Sequence, residues 1–319
     1  VGMLLCSPAG GDLLFDEGLT EQGRNFGNKI WNAFRLINTW QVDTDIQQPE
    51  HAKMAVEWFS MKLSQEIEKI ERNYEEYRLS EALMTIYKLF WDEFSSWFLE
   101  IIKPDYQKPI DADTYKAANE FLDRLLCLLH PIMPFITEEI WQLMADREKG
   151  ESIMLQPMPE PAHYNTEYLD QFEEARELIT AIRNIRKEHN LPLRQELSLL
   201  VKAENGYKHA FDPVVIKMAG IAEIAKASQQ TDNAVTFLIR SNEFYIPMEG
   251  MIDVEEEIKK LKEELEYQKG FLKSVMKKLN NEKFVNNAPS KVVEMEKQKQ
   301  EDAETRIKIL EDRLTVLEK

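Results

Sequence analysis

Apolar residues recur with a helical period through the first half of the chain. A spacing of i, i+3 and i+4 that is sustained over 20 or so residues is typical of long amphipathic helices. It predicts helices over residues 20–40, 50–73, 78–101 and 111–130. Met133-Pro134 interrupts this pattern, and a further helix is expected to open at Pro134 or Thr137. Residues 20–150 therefore predict an antiparallel helix bundle in a mainly α protein.

The pattern changes after a proline-rich stretch. Residues 156–163 hold three prolines within five positions, which makes 151–168 the best candidate for a linker. A predicted helix over 167–189 is then followed by the alternating stretch ELSLLVKA, a short helix near 214–219, and two strands that join at Ser241-Asn242. Residues 169–250 thus predict a small α+β connecting module.

Residues 251–319 show the heptad pattern of a coiled coil. Mostly apolar residues, spaced alternately four and three positions apart, form one seam over residues 254–279 and a second seam over residues 293–317. If the chain turns at NNEKFVNNAPS, the predicted layers pair Val254 with Leu317, Leu261 with Leu310, Leu265 with Ile307, Gln268 with Ala303, Leu272 with Gln300, Val275 with Glu296, and Leu279 with Val293. Because polar residues enter the layers near the turn, we expect an antiparallel coiled-coil hairpin with a firm base and a mobile tip.

The composition fits a helix-rich chain of more than one domain. The chain has 319 residues, of which 43% are apolar and 30% charged, with only 11 glycines. No run reaches about 18 consecutive apolar residues, so no membrane span is expected. Cys6 and Cys127 stand far apart without a Cys/His cluster, which predicts no metal site and fits a reducing, cytoplasmic location.

The first residues, VGMLLCSPAGG, have neither the cationic region of a signal peptide nor an initiator Met. We therefore expect the natural start to lie upstream, with residues 1–19 as the end of a preceding region. No nucleophile, carboxylate pair or metal-ligand cluster emerges from the sequence, and no catalytic residue is predicted.

The charge is strongly negative and unevenly distributed. The net charge of -17 argues against non-specific nucleic-acid binding, which depends on neutralising phosphates. Two stretches are nevertheless basic: residues 183–194, where Glu188 is the only acidic residue, and residues 269–291, where Glu282 is the only one. Two basic regions on an acidic body predict a local docking surface. Five of the six lysines in the second region are candidates for phosphate contacts, with a solvated face as the alternative: Lys273, Lys277, Lys278, Lys283 and Lys291.

The first long helix contains the stretch RNFGNKIWNAFRL, which is unusually rich in asparagine for a helix. At about 100° per residue, its apolar side chains fall on one face and its polar side chains on the opposite arc. The apolar face comprises Phe26, Ile30, Ala33, Phe34 and Ile37, and the candidate ligand-facing set comprises Arg24, Asn28, Lys29, Trp31, Asn32 and Arg35.

Arginine, amide and aromatic groups together suit single-stranded RNA, which presents phosphates, base edges and base faces. Other interpretations stay open. The asparagines could bond the backbones of neighbouring helices, the arginines could pair with acidic residues on an adjacent helix, and Trp31 could be buried beneath one. His130, before a proline, is more simply a helix end than a base.

Four stretches of the chain resemble known signatures. RNFGNKIWNAFRL resembles the RNxxNKxWNxxR helix that opens the anticodon-binding domain of class I aminoacyl-tRNA synthetases of the valine, isoleucine and leucine group. LHPIMPFITEEIWQ looks like the second signature of that domain, and IRNIRKEHNLP is similar to the segment that follows it in the valyl family. KLNNEKFVNNAPSKVVEMEK is similar to the turn of the valyl family's coiled-coil arm.

The resemblance implies a bundle that reads the anticodon arm of tRNA(Val) and an arm that supports the outer corner of the tRNA. It also implies a monomer whose full-length form attaches valine with ATP and Mg²⁺. The HIGH and KMSKS signatures and an editing domain are missing from this sequence, so the chain alone is not expected to aminoacylate. Its first 17 residues look like the stretch that follows KMSKS.

Two alternatives remain at this point. One is the equivalent domain of an isoleucyl or leucyl enzyme, although the isoleucyl type would be expected to end in a cysteine-rich zinc element. The other is a non-enzymatic interaction protein whose hairpin binds a partner helix or dimerises.

Overall fold

The computed structural model describes residues 1–5, 17–202, 207–227, 234–248 and 254–279, and positions 296, 297, 299, 300, 303, 304 and 307. For residues 254–261 and 264 only the backbone is described. The predicted hairpin turn and Cys6 lie outside these ranges. The chain divides into two compact units, residues 1–231 with 236–247 and residues 232–235 with 248–319.

The first unit is mostly helical. Its elements up to the middle of the chain are α1 (Gly2–Leu5), α2 (Glu17–Asn38), α3 (Glu50–Glu75), α4 (Leu79–Lys88), a π-helix (Leu89–Phe98), α5 (Leu99–Ile102), α6 (Ala112–Leu129) and α7 (Pro134–Met144). A 3-10 turn (Ile153–Leu155), α8 (Thr166–Glu188) and α9 (Asp212–Ala219) follow. No helix in the described part of the chain is both long enough and apolar enough to cross a membrane.

Aromatic rings form the centre of the bundle. The Phe59 ring of α3 lies 5.4 Å from Phe94 and 5.0 Å from Phe98 of the π-helix, and 5.0 Å from Phe121 of α6. All four rings are buried, and burying a large side chain contributes roughly 1.5–3 kcal/mol. These contacts therefore tie α3 and α6 to the π-helix.

The ends of the helices follow from local chemistry. The Asp111 carboxylate accepts from the backbone N–H of Thr114 at 2.8 Å and caps α6, while Pro134 occupies the first turn of α7. The helix predicted to start at Thr20 begins at Glu17 instead. Thr20 lies inside its first turn and donates its hydroxyl to the Glu17 carbonyl at 2.6 Å.

A four-stranded sheet follows α8. It contains β3 (Leu197–Lys202), β4 (Ile221–Lys226), β5 (Ala234–Ile239) and β6 (Asn242–Pro247), in the order β4-β3-β6-β5. β3 pairs with β4 in parallel and with β6 in antiparallel orientation. Two short strands, β1 (Val42–Asp43) and β2 (Ile110–Asp111), pair in parallel within the bundle.

The sequence pattern missed β4. Its residues include two alanines, a glutamate and a lysine, all weak strand formers, so pairing with β3 decides its conformation. Together the helices and the small sheet confirm the mainly α class.

The second unit contains α10 (Val254–Leu279). Five of the described side chains of this unit are buried: Met248, Gln268, Val275, Glu296 and Ala303. The Lys278 ammonium of α10 lies 3.5 Å from the Glu296 carboxylate, so Glu296 lies beside the C-terminal part of α10.

Candidate functional site

The two faces of α2 separate as the helical period predicts. The buried residues of α2 are Phe26, Ile30, Ala33, Phe34 and Ile37. On the other side lies an exposed set that we call the polar arc: Arg24, Asn25, Asn28, Asn32 and Arg35. Lys29 and Trp31 flank it and are half-buried. The polar arc is therefore a continuous solvent-facing strip on a helix whose opposite face is anchored in the core.

The polar arc makes few bonds within the protein. In the described part of the chain, the side chains of Asn28, Asn32 and Arg35 have no hydrogen-bond or ion-pair partner. Arg24 lies 3.7 Å from Glu21, but each side chain is 69% exposed, and such a pair contributes about 0–1 kcal/mol. The asparagines thus do not bond neighbouring helix backbones, and the groups remain available to an external ligand.

Aromatic side chains of α4 and of the π-helix border one side of the polar arc. The Lys29 ammonium lies 5.2 Å from the centroid of the Trp91 ring, which holds it by a cation–π contact. Trp91 in turn stacks on Tyr87 at 5.5 Å, and Phe26 lies 4.7 Å from Tyr87. Lys29 therefore sits on the margin of the polar arc in a fixed position.

The first turn of α7 borders the other side. A Cβ built on Gly27 would lie 3.8 Å from the Ile136 side chain and 3.9 Å from that of Met133, so the two helices meet in ordinary contact there. Between these contact residues, Phe135 is 90% exposed. Trp31 is half-buried with its ring 5.8 Å from Phe34. The sequence left two alternatives for Trp31, an exposed ring on which a base could stack and a ring buried beneath a helix. Its partial exposure is intermediate between them.

Sequence reasoning missed Trp91 and Phe135 as neighbours of the polar arc. Phe135 could have been found, because it lies on the opposite side of α7 from the buried residues Thr137, Ile140 and Trp141. The position of Trp91 depends on how the π-helix packs against α2, which no local pattern reveals.

The basic stretch 183–194 has a different role from the predicted one. Arg186 is only 4% exposed, and its guanidinium donates to the carbonyls of Ala219 at 2.9 Å, Pro192 at 2.9 Å and Gly220 at 2.6 Å. Arg183 donates twice to the Met218 carbonyl, at 3.2 and 3.0 Å. Both arginines thus donate to backbone carbonyls at the end of α9. Because Arg186 is buried there, the prediction of a docking surface is wrong for it, whereas Arg183 stays exposed.

The candidate lysines of the second unit are only partly described. Lys273, Lys277 and Lys278 are exposed on α10, and Lys278 pairs with Glu296. Lys283 and Lys291 lie outside the described residues. The three described lysines can reach an anionic ligand, with Lys278 partly neutralised by its partner.

The side chains of Cys127 and His130 lie in environments that favour a structural role. Burial and the nearby Asp123 raise the pKa of the free Cys127 thiol to about 11, which keeps it protonated and unreactive. His130 Nδ1 lies 2.8 Å from the Thr137 hydroxyl and so links two helix ends. Within the described residues there is no cluster of three His, Cys, Asp or Glu side chains that could hold a metal ion.

Comparison with protein families gives two matches. Residues 56–201 match the anticodon-binding domain of tRNA ligases, and residues 253–318 match the valyl tRNA synthetase tRNA binding arm. The first match begins after α2, so the polar arc lies outside the matched range. The second match favours the valyl alternative over the isoleucyl and leucyl ones.

Curated relatives agree with these matches. The chain is 52% identical to a valine–tRNA ligase of Parabacteroides distasonis over 319 residues and 50% identical to that of Porphyromonas gingivalis over 318. A valine–tRNA ligase of Geobacillus stearothermophilus is 33% identical over 93% of the chain. The chain spans 36% of the length of the first two relatives and 35% of the third.

Proposed function

The chain carries the anticodon-binding domain and the tRNA-binding arm of the valyl-tRNA synthetase family, and on that premise we propose that it binds tRNA(Val). In this proposal the bundle contacts the anticodon stem and loop, and the second unit supports the outer corner of the tRNA. Attachment of valine, with ATP and Mg²⁺, is then carried out by a part of the enzyme outside this sequence, as the greater length of the relatives suggests. The protein works as a monomer in the cytoplasm.

The observation that carries the proposal is the polar arc, in which Asn28, Asn32 and Arg35 have no partner among the described residues and Arg24 has only an exposed pair with Glu21. Solvent-exposed arginines can neutralise phosphates, and amide side chains can donate to and accept from base edges. Arg24 and Arg35 are assigned to phosphates, Asn28 and Asn32 to bases, and the half-buried Trp31 to a base face. Lys29, fixed over Trp91, supplies a further positive charge at the margin.

For the second unit we propose an antiparallel coiled-coil hairpin. Burial of Gln268, Val275, Glu296 and Ala303 supports it, because all four occupy seam positions of the heptad pattern. The ion pair from Lys278 to Glu296 supports the same alignment. Lys273, Lys277, Lys278, Lys283 and Lys291 are then candidates for phosphate contacts along the hairpin.

The domain layout completes the proposal. Residues 1–19 belong to the end of the preceding region, 20–150 to the anticodon-binding bundle, and 151–168 to a linker. Residues 169–250 form the connecting module, and 251–319 form the arm.

The test is a gel-shift titration of the 319-residue chain with tRNA(Val) and tRNA(Ile) at two salt concentrations. We expect tighter binding of tRNA(Val), and weaker binding when Asn28 and Asn32 are both changed to alanine, because base-edge contacts each contribute about 1–3 kcal/mol of discrimination. Asn184→Ala, an exposed asparagine on α8, is the matched control and should bind as the unaltered chain does.

Two outcomes would contradict the proposal. Equal affinity for both tRNAs that is unchanged in the Asn28/Asn32 variant would remove the role of the polar arc. Sedimentation that shows self-association independent of tRNA would favour the interaction protein instead.

A further inference from the structure

We propose that Arg176 of α8 is a positioning residue for the polar arc. Its ion pair with Glu93 of the π-helix keeps the Trp91 ring of that helix in place. The ring in turn holds the Lys29 ammonium at the margin of the polar arc. The inference rests on the proposed tRNA-binding function, and it gives the connecting module, to which α8 belongs, an influence on the ligand-facing side of the bundle.

The Trp91 ring is the contact that fixes Lys29. The Lys29 ammonium lies 5.2 Å from the ring centroid, and this side chain has no hydrogen-bond or ion-pair partner within the described part of the chain. Trp91 is itself stacked on Tyr87, with the two ring planes 18° apart. Because one ring orders a long, flexible lysine side chain, a displacement of Trp91 would release the ammonium.

The π-helix is bound to α8 two residues beyond Trp91. Both terminal nitrogens of the Arg176 guanidinium donate to the Glu93 carboxylate, one of them at 3.3 Å. The two side chains are only 21% and 14% exposed, so solvent and salt screen this pair much less than an exposed pair. A bidentate arginine fixes direction as well as distance, which a lysine ammonium does not.

Aromatic rings hold the Arg176 guanidinium in its place. Its central carbon lies 4.9 Å from the ring centroid of Trp97, 5.3 Å from that of Phe172 and 5.9 Å from that of Trp58. Glu173, one turn earlier on α8, adds a contact at 3.5 Å. The guanidinium is thus oriented by its surroundings, and Glu93 is held against it.

The irregular geometry of the π-helix makes the position of Trp91 depend on this pair. Its backbone bonds close at i→i+5, and the Ser96 hydroxyl donates to the Trp91 carbonyl at 2.9 Å across the same wide turn. Such segments are rare, and α-helical bonding at i→i+4 is the ordinary alternative. A return to α-helical bonding would rotate Trp91 and Glu93 together, since they are two residues apart on one element. Arg176 opposes that rotation by holding Glu93.

The first test follows the Lys29 side chain in the 319-residue chain without RNA. The ring current of Trp91 shifts the NMR signals of the Lys29 methylene groups, and a Trp91→Leu variant identifies that shift. We expect Arg176→Lys and Glu93→Gln each to remove most of the shift, with helix content unchanged by circular dichroism. An unchanged Lys29 signal in both variants would overturn the inference.

A double-mutant cycle then connects the ion pair with binding. We expect Arg176→Lys to lower the affinity for a tRNA(Val) transcript about threefold to tenfold, because Lys29 is no longer fixed. In the Lys29→Gln background the same change should have no further effect, since its route to the ligand is already removed. A purely structural role would lower the affinity by the same factor in both backgrounds, and that result would overturn the inference.

Arg240→Lys is the matched control. Arg240 also binds α8 through a fork, with the Asp170 carboxylate at 2.7 and 3.1 Å, but it does so from the turn between β5 and β6. Its replacement should change neither the Lys29 signal nor the affinity for the transcript. Equal losses in Arg240→Lys and Arg176→Lys would mean that any loosening of α8 weakens binding, which would overturn a specific role of Arg176.

Failure of this inference can be distinguished from failure of the proposed function. If the unaltered chain does not bind the transcript at all, the proposed function itself is overturned, and this inference with it. If the unaltered chain binds and Lys29→Gln weakens binding, while Arg176→Lys and Glu93→Gln bind normally, only this inference is overturned.

Discussion

The polar arc of α2 and the basic stretch 183–194 look alike in the sequence but have opposite roles in the structure. Both place arginines at helical spacing in a chain that is otherwise acidic. On α2, Arg35 is exposed and has no partner within the described residues, and Arg24 has only a weak exposed pair. On α8, Arg186 is buried and binds three carbonyls. The same residue type is therefore open to solvent in one place and bound to the protein's own backbone in the other.

The difference depends on what each helix packs against. The end of α9 presents carbonyls that lack helical partners, and Gly220 at φ 66° turns the chain away from them. A Cβ built on Gly220 would lie 3.0 Å from the Arg186 guanidinium, so the glycine also makes room for the arginine. Among the described residues, no side chain of the polar arc donates to a backbone carbonyl. A basic stretch is thus evidence for a ligand only when the structure offers it no internal acceptor.

The largest effect that we expect is a loss of stability when Arg186 is replaced, and its absence would contradict the contrast between the two stretches. Arg186→Ala removes a buried guanidinium that donates to three carbonyls. The carbonyls of Pro192 and Gly220 keep backbone donors, Gln195 at 3.0 Å and Leu197 at 3.3 Å, whereas that of Ala219 loses its Arg186 donor. We expect a loss of about 3 kcal/mol in the free energy of unfolding. Urea denaturation followed by circular dichroism measures this loss. Binding of tRNA(Val) by the folded fraction should not change.

Arg194→Ala is the control, because this exposed arginine in the same stretch makes no bond within the described residues. Its free energy of unfolding should stay within about 0.5 kcal/mol of the unaltered chain. If Arg186→Ala were as stable as this control and instead weakened tRNA binding, the two basic regions would have the same role.

The next effect concerns the two arginines of the polar arc. We expect Arg24→Ala combined with Arg35→Ala to lower the affinity for tRNA(Val) roughly 30-fold, which is about 2 kcal/mol, without a measurable change in stability. In the proposed function each arginine contacts a phosphate, so the slope of log affinity against log salt should fall by roughly 0.7 to 0.9 per arginine. Titrations at three or more salt concentrations measure the slope.

Arg72→Ala with Arg78→Ala gives the same change of net charge on the same bundle. These exposed arginines pair with Glu68 and Glu76, and their removal should leave the salt slope unaltered. An equal change of slope in both double variants would mean that net charge, and not the polar arc, determines binding.

The sequence predicts most of the bundle because its helices are long and clearly amphipathic. The division of α2 into a buried face and an exposed arc follows from periodicity alone, since Phe26, Ile30 and Phe34 can share only one face. Periodicity also locates α8, but it does not show that two of its arginines bind carbonyls 33 to 35 residues further along the chain. That contact requires α9 to end beside α8.

The residues that border the polar arc were less predictable, because they too depend on contacts between distant elements. The ring under Lys29 comes from Trp91, 62 residues away in a π-helix, and helical periodicity cannot anticipate which side of an irregular helix faces α2. β4 illustrates the same limit, because its residues favour a strand only when β3 is beside them. Local patterns assign elements and faces, whereas contacts between elements need the fold.

The smallest effect that we expect is on tRNA binding when Trp31 is replaced. It tests whether an aromatic ring beside the polar arc contributes to binding. Its ring is half-buried against Phe34, so only part of it can stack on a base. We expect Trp31→Ala to weaken binding of tRNA(Val) by about 1 kcal/mol, roughly fivefold, and to lower stability by a similar amount through lost packing. Trp31→Phe should recover most of both, because a smaller ring still packs on Phe34 and still offers a face. A Trp31→Ala variant that folds normally and keeps full affinity would remove the base-stacking role. In that case the polar arc would bind RNA through its amide and guanidinium groups alone.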